Sequence, residues 1–216
     1  RFAGGETYKE LNRLERMLLH AESRCCIHDG CYQKGLAVLE RLLALCDAAG
    51  ERRMAVQAHL QLVYYGIQTG DCQVMEEHLE RIETLLRGEE DSADFGVWLR
   101  LSGLLEAMQG RYVQAREILA RSIRTFQALD PDVDGRYAIN IAGVYNYIAE
   151  SYRLEQNYEM AFWNYDQAIA YNRSRGYYPG AALFYTNYGV AAYQSGRRAE
   201  AKKLFRYAVN IYEESH

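Results

Sequence analysis

The sequence predicts an all-α chain of about five helix–turn–helix units, and three observations carry that prediction. Only two prolines, Pro131 and Pro179, interrupt the 216 residues, so long stretches are free to run as helix. Apolar residues recur at intervals of three and four. Ile118, Leu119, Ile123 and Phe126 make one such stripe around Ser122, and Leu204, Phe205, Ala208, Val209 and Tyr212 make another. Finally, five stretches share one shape. Aligned on a common turn they fall at Gly30, Gly70, Gly110, Gln156 and Gly196, with spacings of 40, 40, 46 and 40. Self-similarity at such a period is the mark of stacked supersecondary units.

The elements follow in order from those turns. HDGCYQKGLAVLERLL joins a helix over 6–28 to one over 31–48. QTGDCQVMEEHLERIETLL joins 51–69 to 72–87, and MQGRYVQAREILARSI joins 93–109 to 112–128. EQNYEMAFWNYDQAI, with Gln156 in place of glycine, joins 134–155 to 158–174. QSGRRAEAKKLFRYAV joins 178–195 to 198–215. Between pairs lie the loop sequences AAGE, RGEEDSAD, LDPDVDG and RSRGYYPG. The units span about 6–48, 51–87, 93–128, 134–174 and 178–215, read together as a single repeat domain over 1–216. The chain begins at Arg1 rather than Met and reads as a piece of a longer protein.

In this register the chain resembles the tetratricopeptide repeat. That family alternates small and large residues so that two helices pack closely. Its small position after the turn is filled by Gly35, Ala115, Ala161 and Ala201, and its small position in the first helix by Gly103, Ala149 and Gly189. The late small position is Ala168 and Ala208, and the large aromatic after the turn is Tyr32, Tyr112 and Tyr158. The second unit departs from the pattern at Val63 and Met75, and Glu106 stands where the third unit should be apolar. The resemblance implies a right-handed superhelical α-solenoid whose first helices line a concave surface.

Composition narrows the function. The formal net charge is -4, so the basic footprint that nucleic acid needs is missing. No apolar run is long enough for a membrane span. Five cysteines, an odd count without a disulfide framework, suit reduced thiols in a cytoplasmic protein. Residues 25–31, CCIHDGC, raise the question of a metal knuckle. The spacing would let Cys25, His28 and Cys31 meet across the turn, yet tetrahedral zinc asks for four ligands in paired short spacings, and no second pair follows. Cys26 takes a core-facing register position, where free cysteine behaves as a small hydrophobe. Neither a metal nor another cofactor is expected. The chain also lacks a phosphate loop and a nucleophile elbow, so it reads as no enzyme.

Recognition remains. In the implied register the inward residues of the first helices include Tyr64, Arg100, Asn146, Glu150, Arg153, Thr186 and Tyr193, with Leu60 and Met108 beside them. Arg forks onto carboxylates, Asn meets a peptide backbone through both ends of its amide, and Tyr offers stacking area. The expected ligand is a peptide, a small metabolite or a partner protein on the concave face. Repeats near 40 residues are similar to the helical sensor domains of large LuxR-type, maltose-regulator-like bacterial activators, and of peptide-pheromone receptors. That resemblance implies the sensor module of a transcriptional regulator. The alternative is a scaffold or adaptor that docks a partner protein with no small effector. The last helix, with Tyr207 and Ile211, offers a place for two copies to pair.

Overall fold

A computed structural model describes residues 3–130, 135–173 and 179–214, and their side chains apart from those of 3–8, 28 and 179. The described chain divides by internal contact into two compact units, Arg1–Gly88 and Glu89–His216. The first holds α1 (Ala3–His28), α2 (Tyr32–Ala49), α3 (Arg52–Thr69) and α4 (Cys72–Leu85). The second holds α5 (Ala93–Met108), α6 (Tyr112–Ala128), α7 (Ala138–Leu154), α8 (Tyr158–Arg173), α9 (Pro179–Gln194) and α10 (Arg198–Glu214). All secondary structure among the described residues is helical. Each helix expected from the sequence is present, and most ends agree within two residues. Helix α7 starts at Ala138, because Gly135 at φ 71° turns the chain just before it. The expected limits at 134, 174, 178 and 215 fall outside the described residues.

One turn repeats five times. One or two residues past the first helix of each pair the chain turns left-handed: Gly30 at φ 73°, Gly70 at 72°, Gly110 at 79°, Gln156 at 60° and Gly196 at 85°. The next residue donates its backbone N–H five residues back, closing the helix end. These bonds are Cys31 to Cys26 (2.7 Å), Asp71 to Gly66 (2.8 Å), Arg111 to Glu106 (2.9 Å), Asn157 to Tyr152 (2.9 Å) and Arg197 to Ala192 (2.8 Å). This is the Schellman pattern, which satisfies carbonyls that a helix end would otherwise leave open. Side chains also cap the starts of α4 and α5. The Asp71 carboxylate accepts from the N–H of Gln73 and Val74, both at 3.1 Å, and Ser92 Oγ accepts from Phe95 N–H at 3.1 Å.

The small positions work by close approach. A Cβ added at Gly103 would stand 2.6 Å from Leu119, and one at Gly189 the same distance from the Phe205 ring. Ala115, Ala149, Ala161 and Ala168 are fully buried. The second repeat reaches the same end by exchange. Buried Met75 fills the space after its turn, and Gly66 on α3 makes room, since a Cβ there would lie 2.7 Å from Met75 Cγ. Glu106, out of place in an apolar slot, is held by the guanidinium of Arg111, whose Nη2 donates to it at 2.8 Å. Within residues 1–88 the rings of His59 and His78 lie 5.2 Å apart. Burial, then the charge of His78, pushes the His59 pKa down to about 4, and burial also lowers that of His78.

Two outcomes are expected. Gln156 is the one non-glycine residue with positive φ among those described, so Gln156→Gly should raise stability by about 0.5–1 kcal/mol, read from the urea midpoint. The second concerns pH. A base whose folded pKa lies below its unfolded value takes up its proton more readily when unfolded. The stability tied to neutral His59 is therefore complete above its ordinary value of 6.5 and is lost as pH falls towards about 4. The urea midpoint should drop between roughly pH 7 and pH 5, with a clearly smaller drop in His59→Gln.

Candidate binding surface

In residues 89–216 the first helices α5, α7 and α9 carry six of the seven expected contact residues: Arg100, Asn146, Glu150, Arg153, Thr186 and Tyr193. Tyr64 belongs to α3 in the other unit, where its ring is partly exposed. Leu60, expected beside them on the concave face, is instead buried at 5% exposure.

The centre of the second unit's surface is an ion pair one helical turn apart. Arg153 donates from Nε to Glu150 Oε1 at 3.0 Å and from Nη2 to Oε2 at 2.8 Å. Its remaining arm, Nη1, donates to Gln194 Oε1 on α9 at 3.0 Å. From below, the hydroxyl of Tyr165 on α8 donates to Glu150 Oε1. One carboxylate and one guanidinium thus tie α7, α8 and α9 together. The bond to Glu150 raises the Arg153 pKa still further, so its charge is permanent. Burial, then the neighbouring Glu150 charge, drives the Tyr165 pKa strongly up, so the phenol stays a donor.

A second tie joins the same helices. Asn187 Nδ2 donates to Asn146 Oδ1 at 3.1 Å, and Asn146 is only 2% exposed. Gly143 leaves room for Arg100 of α5, whose Nη1 would lie 3.2 Å from a Cβ at that position. Thr186 Oγ1 donates back to the Ala182 carbonyl at 2.8 Å. The sequence pattern suggested an open guanidinium fork and an open amide. In the structure the Arg153 fork faces its own neighbour three residues earlier, and Asn146 Oδ1 faces Asn187. In residues 89–216 the exposed members are Tyr193 on α9 and Met108 at the end of α5.

Beneath this surface lies an aromatic stack. Tyr165 stacks on Tyr188 at 5.2 Å, Tyr188 on Phe162 at 5.3 Å, and the Arg197 guanidinium lies 4.4 Å over Phe162. Burial, with help from Asp166 and Glu200, pushes the Tyr188 pKa up to about 12. Tyr165 and Tyr185 are buried, and Tyr145, Tyr152 and Tyr158 are partly buried against the same core, so these five tyrosines pack rather than face a ligand. Tyr165, Asn187 and Gln194 complete the networks; the sequence register puts Tyr165 at a packing position and gives no sign of Asn187 and Gln194. The i,i+3 spacing of Glu150 and Arg153 was the available signal.

Among the described residues there is no group of three or more side chains suited to hold a metal ion. Cys25 and Cys31 are exposed and Cys26 is buried; the side chain of His28 lies outside the described residues. No described helix is long and apolar enough to cross a membrane.

The helix pairs, their turns and their small-to-large packing define a solenoid of tetratricopeptide type. Residues 140–214 match the family model described as tetratricopeptide repeat. No curated protein matches. Among solved structures, a Podosopora anserina putative kinesin light chain with nearly identical TPR-like repeats superposes at TM-score 0.63 and 17% identity, covering 95% of this chain and 97% of that one. BtubC (BKLC) from P. vanneervenii superposes at TM-score 0.61 and 16% identity, covering 95% and 91%. MamA does so at 0.51 and 19%, covering 89% and 95%. The family model covers residues 140–214, and the solved structures show the fold of the whole chain.

The Glu150–Arg153 tie generates a testable outcome. Arg153→Met keeps the stem and leaves a half-buried carboxylate with Tyr165 alone, so it should cost about 1–3 kcal/mol. Adding Glu150→Gln should recover most of that loss, which urea unfolding of the two single variants and the double variant reads directly.

Proposed function

We propose that this chain is a protein-interaction scaffold that docks a peptide segment of a partner on the first-helix face of residues 89–216. The observation that carries the reading is the pre-ordered polar seam. Glu150, Arg153, Gln194 and Tyr165 hold one another, and Asn146 holds Asn187, before any ligand arrives. A surface already fixed loses little side-chain entropy on binding. In this reading Thr186, Tyr193 and the edge of Arg100 make the contacts, while Asn146, Glu150 and Arg153 hold the helices in place. The same face suits the sensor module of a transcriptional regulator, but the family match and the similar structures favour the scaffold.

A random peptide library panned against the full chain, followed by calorimetric titration of the selected peptides, tests this. Selected peptides should lose about ten-fold or more in affinity in Thr186→Arg, since a long charged side chain there blocks the face. They should bind Trp163→Ala, an exposed α8 variant, as they bind the unaltered chain. Peptides insensitive to Thr186→Arg, or the selection of none, would overturn the reading.

A further inference from the structure

The outward side of α8 carries a residue that repeat register does not account for. Counted from the turn, Trp163 stands where the other pairs have Ala37, Glu77, Glu117 and Lys203. All five are exposed, so this position faces water in every pair, whichever helices stand beside it. The other pairs fill it with a small or charged side chain. Here it holds an indole that is 53% exposed. Helix α8 itself is packed on both sides, by α7 and by α9.

The surface around the indole is acidic. Glu159, Met160 and Trp163 line a groove of about 350 Å³. Asp166 follows on the same face, since residues at i, i+4 and i+7 share one side of a helix. Among the described residues neither Glu159 nor Asp166 is held in an ion pair. Burial, then the charge of Glu200, pushes the Asp166 pKa up, the direction expected of a carboxylate with a like charge nearby and no cation.

The same unit shows twice what completes such a group. Arg116 lies 4.2 Å over the Tyr152 ring and pairs with Glu155 at 2.5 Å. Arg197 lies 4.4 Å over the Phe162 ring and pairs with Glu200 at 3.5 Å. In each case a guanidinium rests on an aromatic face while a carboxylate takes its charge. Around Trp163 the ring and the carboxylates are present, and among the described residues no cation lies over the ring. Tryptophan is the strongest of the three rings for this contact. The missing piece is a guanidinium, which is flat, weakly hydrated and able to fork onto a carboxylate as it stacks.

We propose that the outward face of α8 docks an arginine-bearing segment of a partner protein. One guanidinium lies on the Trp163 ring and forks onto Glu159, and its aliphatic stem runs against Met160. Asp166, about one turn further along, takes a second cation of the same segment. This surface lies apart from the first-helix face and does not rest on the reading given for it.

The test uses a library of peptides of about 12 residues with a fixed central arginine and random flanks. The library is first depleted on the immobilised Trp163→Ala chain, which removes peptides of every other face, and then panned against the unaltered chain. In calorimetric titration the selected peptides should lose about ten-fold or more in affinity in Glu159→Gln with Asp166→Asn, and nothing in Thr186→Arg. Citrulline in place of the central arginine keeps the shape, removes the charge and should cost about as much, with lysine costing less. The substituted side chains on α8 are exposed, and an unchanged urea midpoint shows each variant folded. Selection of no peptide, or peptides that tolerate citrulline or the paired amide variant, would overturn the proposal. So would a concentration-dependent dimer in sedimentation that Trp163→Ala abolishes, with no peptide selected, because the occupant would then be a second copy.

Discussion

Each helix pair in this chain hangs on one backbone constraint: the first helix ends in a left-handed residue, and the chain reverses there within a single step. Four glycines supply that conformation, and Gln156 adopts it at φ 60°. Once the reversal is set, the second helix must run back along the first. Packing then depends on how near the two axes can come. Gly103 beneath Leu119 and Gly189 beneath Phe205 set that distance from one side. Met75 against Gly66 sets it from the other, which is why the second pair closes without the usual small residue after its turn.

On this frame the second unit lays two different kinds of surface. The first-helix side is polar and internally satisfied, with Glu150 and Arg153 bound to each other and to neighbours on α8 and α9. The exposed side of α10 is apolar and basic. The contrast follows from what each helix meets. A charge between two packed helices must be paired, because desolvation punishes a lone one. A charge on an open face is left to water or to a visitor.

The turns and the helix pairs were legible because they rest on local rules: glycine for positive φ, periodicity for buried stripes, and small residues for close approach. Residue-level roles on the first-helix face were less legible. Register correctly put Glu150, Arg153 and Thr186 on the first helices. It gave no sign that Arg153 turns to its own helix, that Asn146 meets Asn187 across 41 positions, or that Leu60 is covered. Those outcomes depend on which partner stands across a helix interface, and period alone does not encode that. Tyr165, Tyr185 and Tyr188 are spent on the core, as tyrosines at packing positions of such repeats are.

The contact pattern has a consequence for how change spreads through the molecule. Within each unit a helix touches its immediate neighbours in sequence and, more sparsely, the helix two places on, as α5 does α7 and α7 does α9. Long loops need not be closed before any pair gains its contacts, so the topology favours rapid folding that starts at any pair and spreads outward. Injury is confined in the same way. A substitution in α6 is felt by the helices packed on it and little further, which makes the second unit a row of semi-independent modules rather than one indivisible core. Such a row can change the chemistry of one module, as α10 has done with its cations, while the others keep their packing.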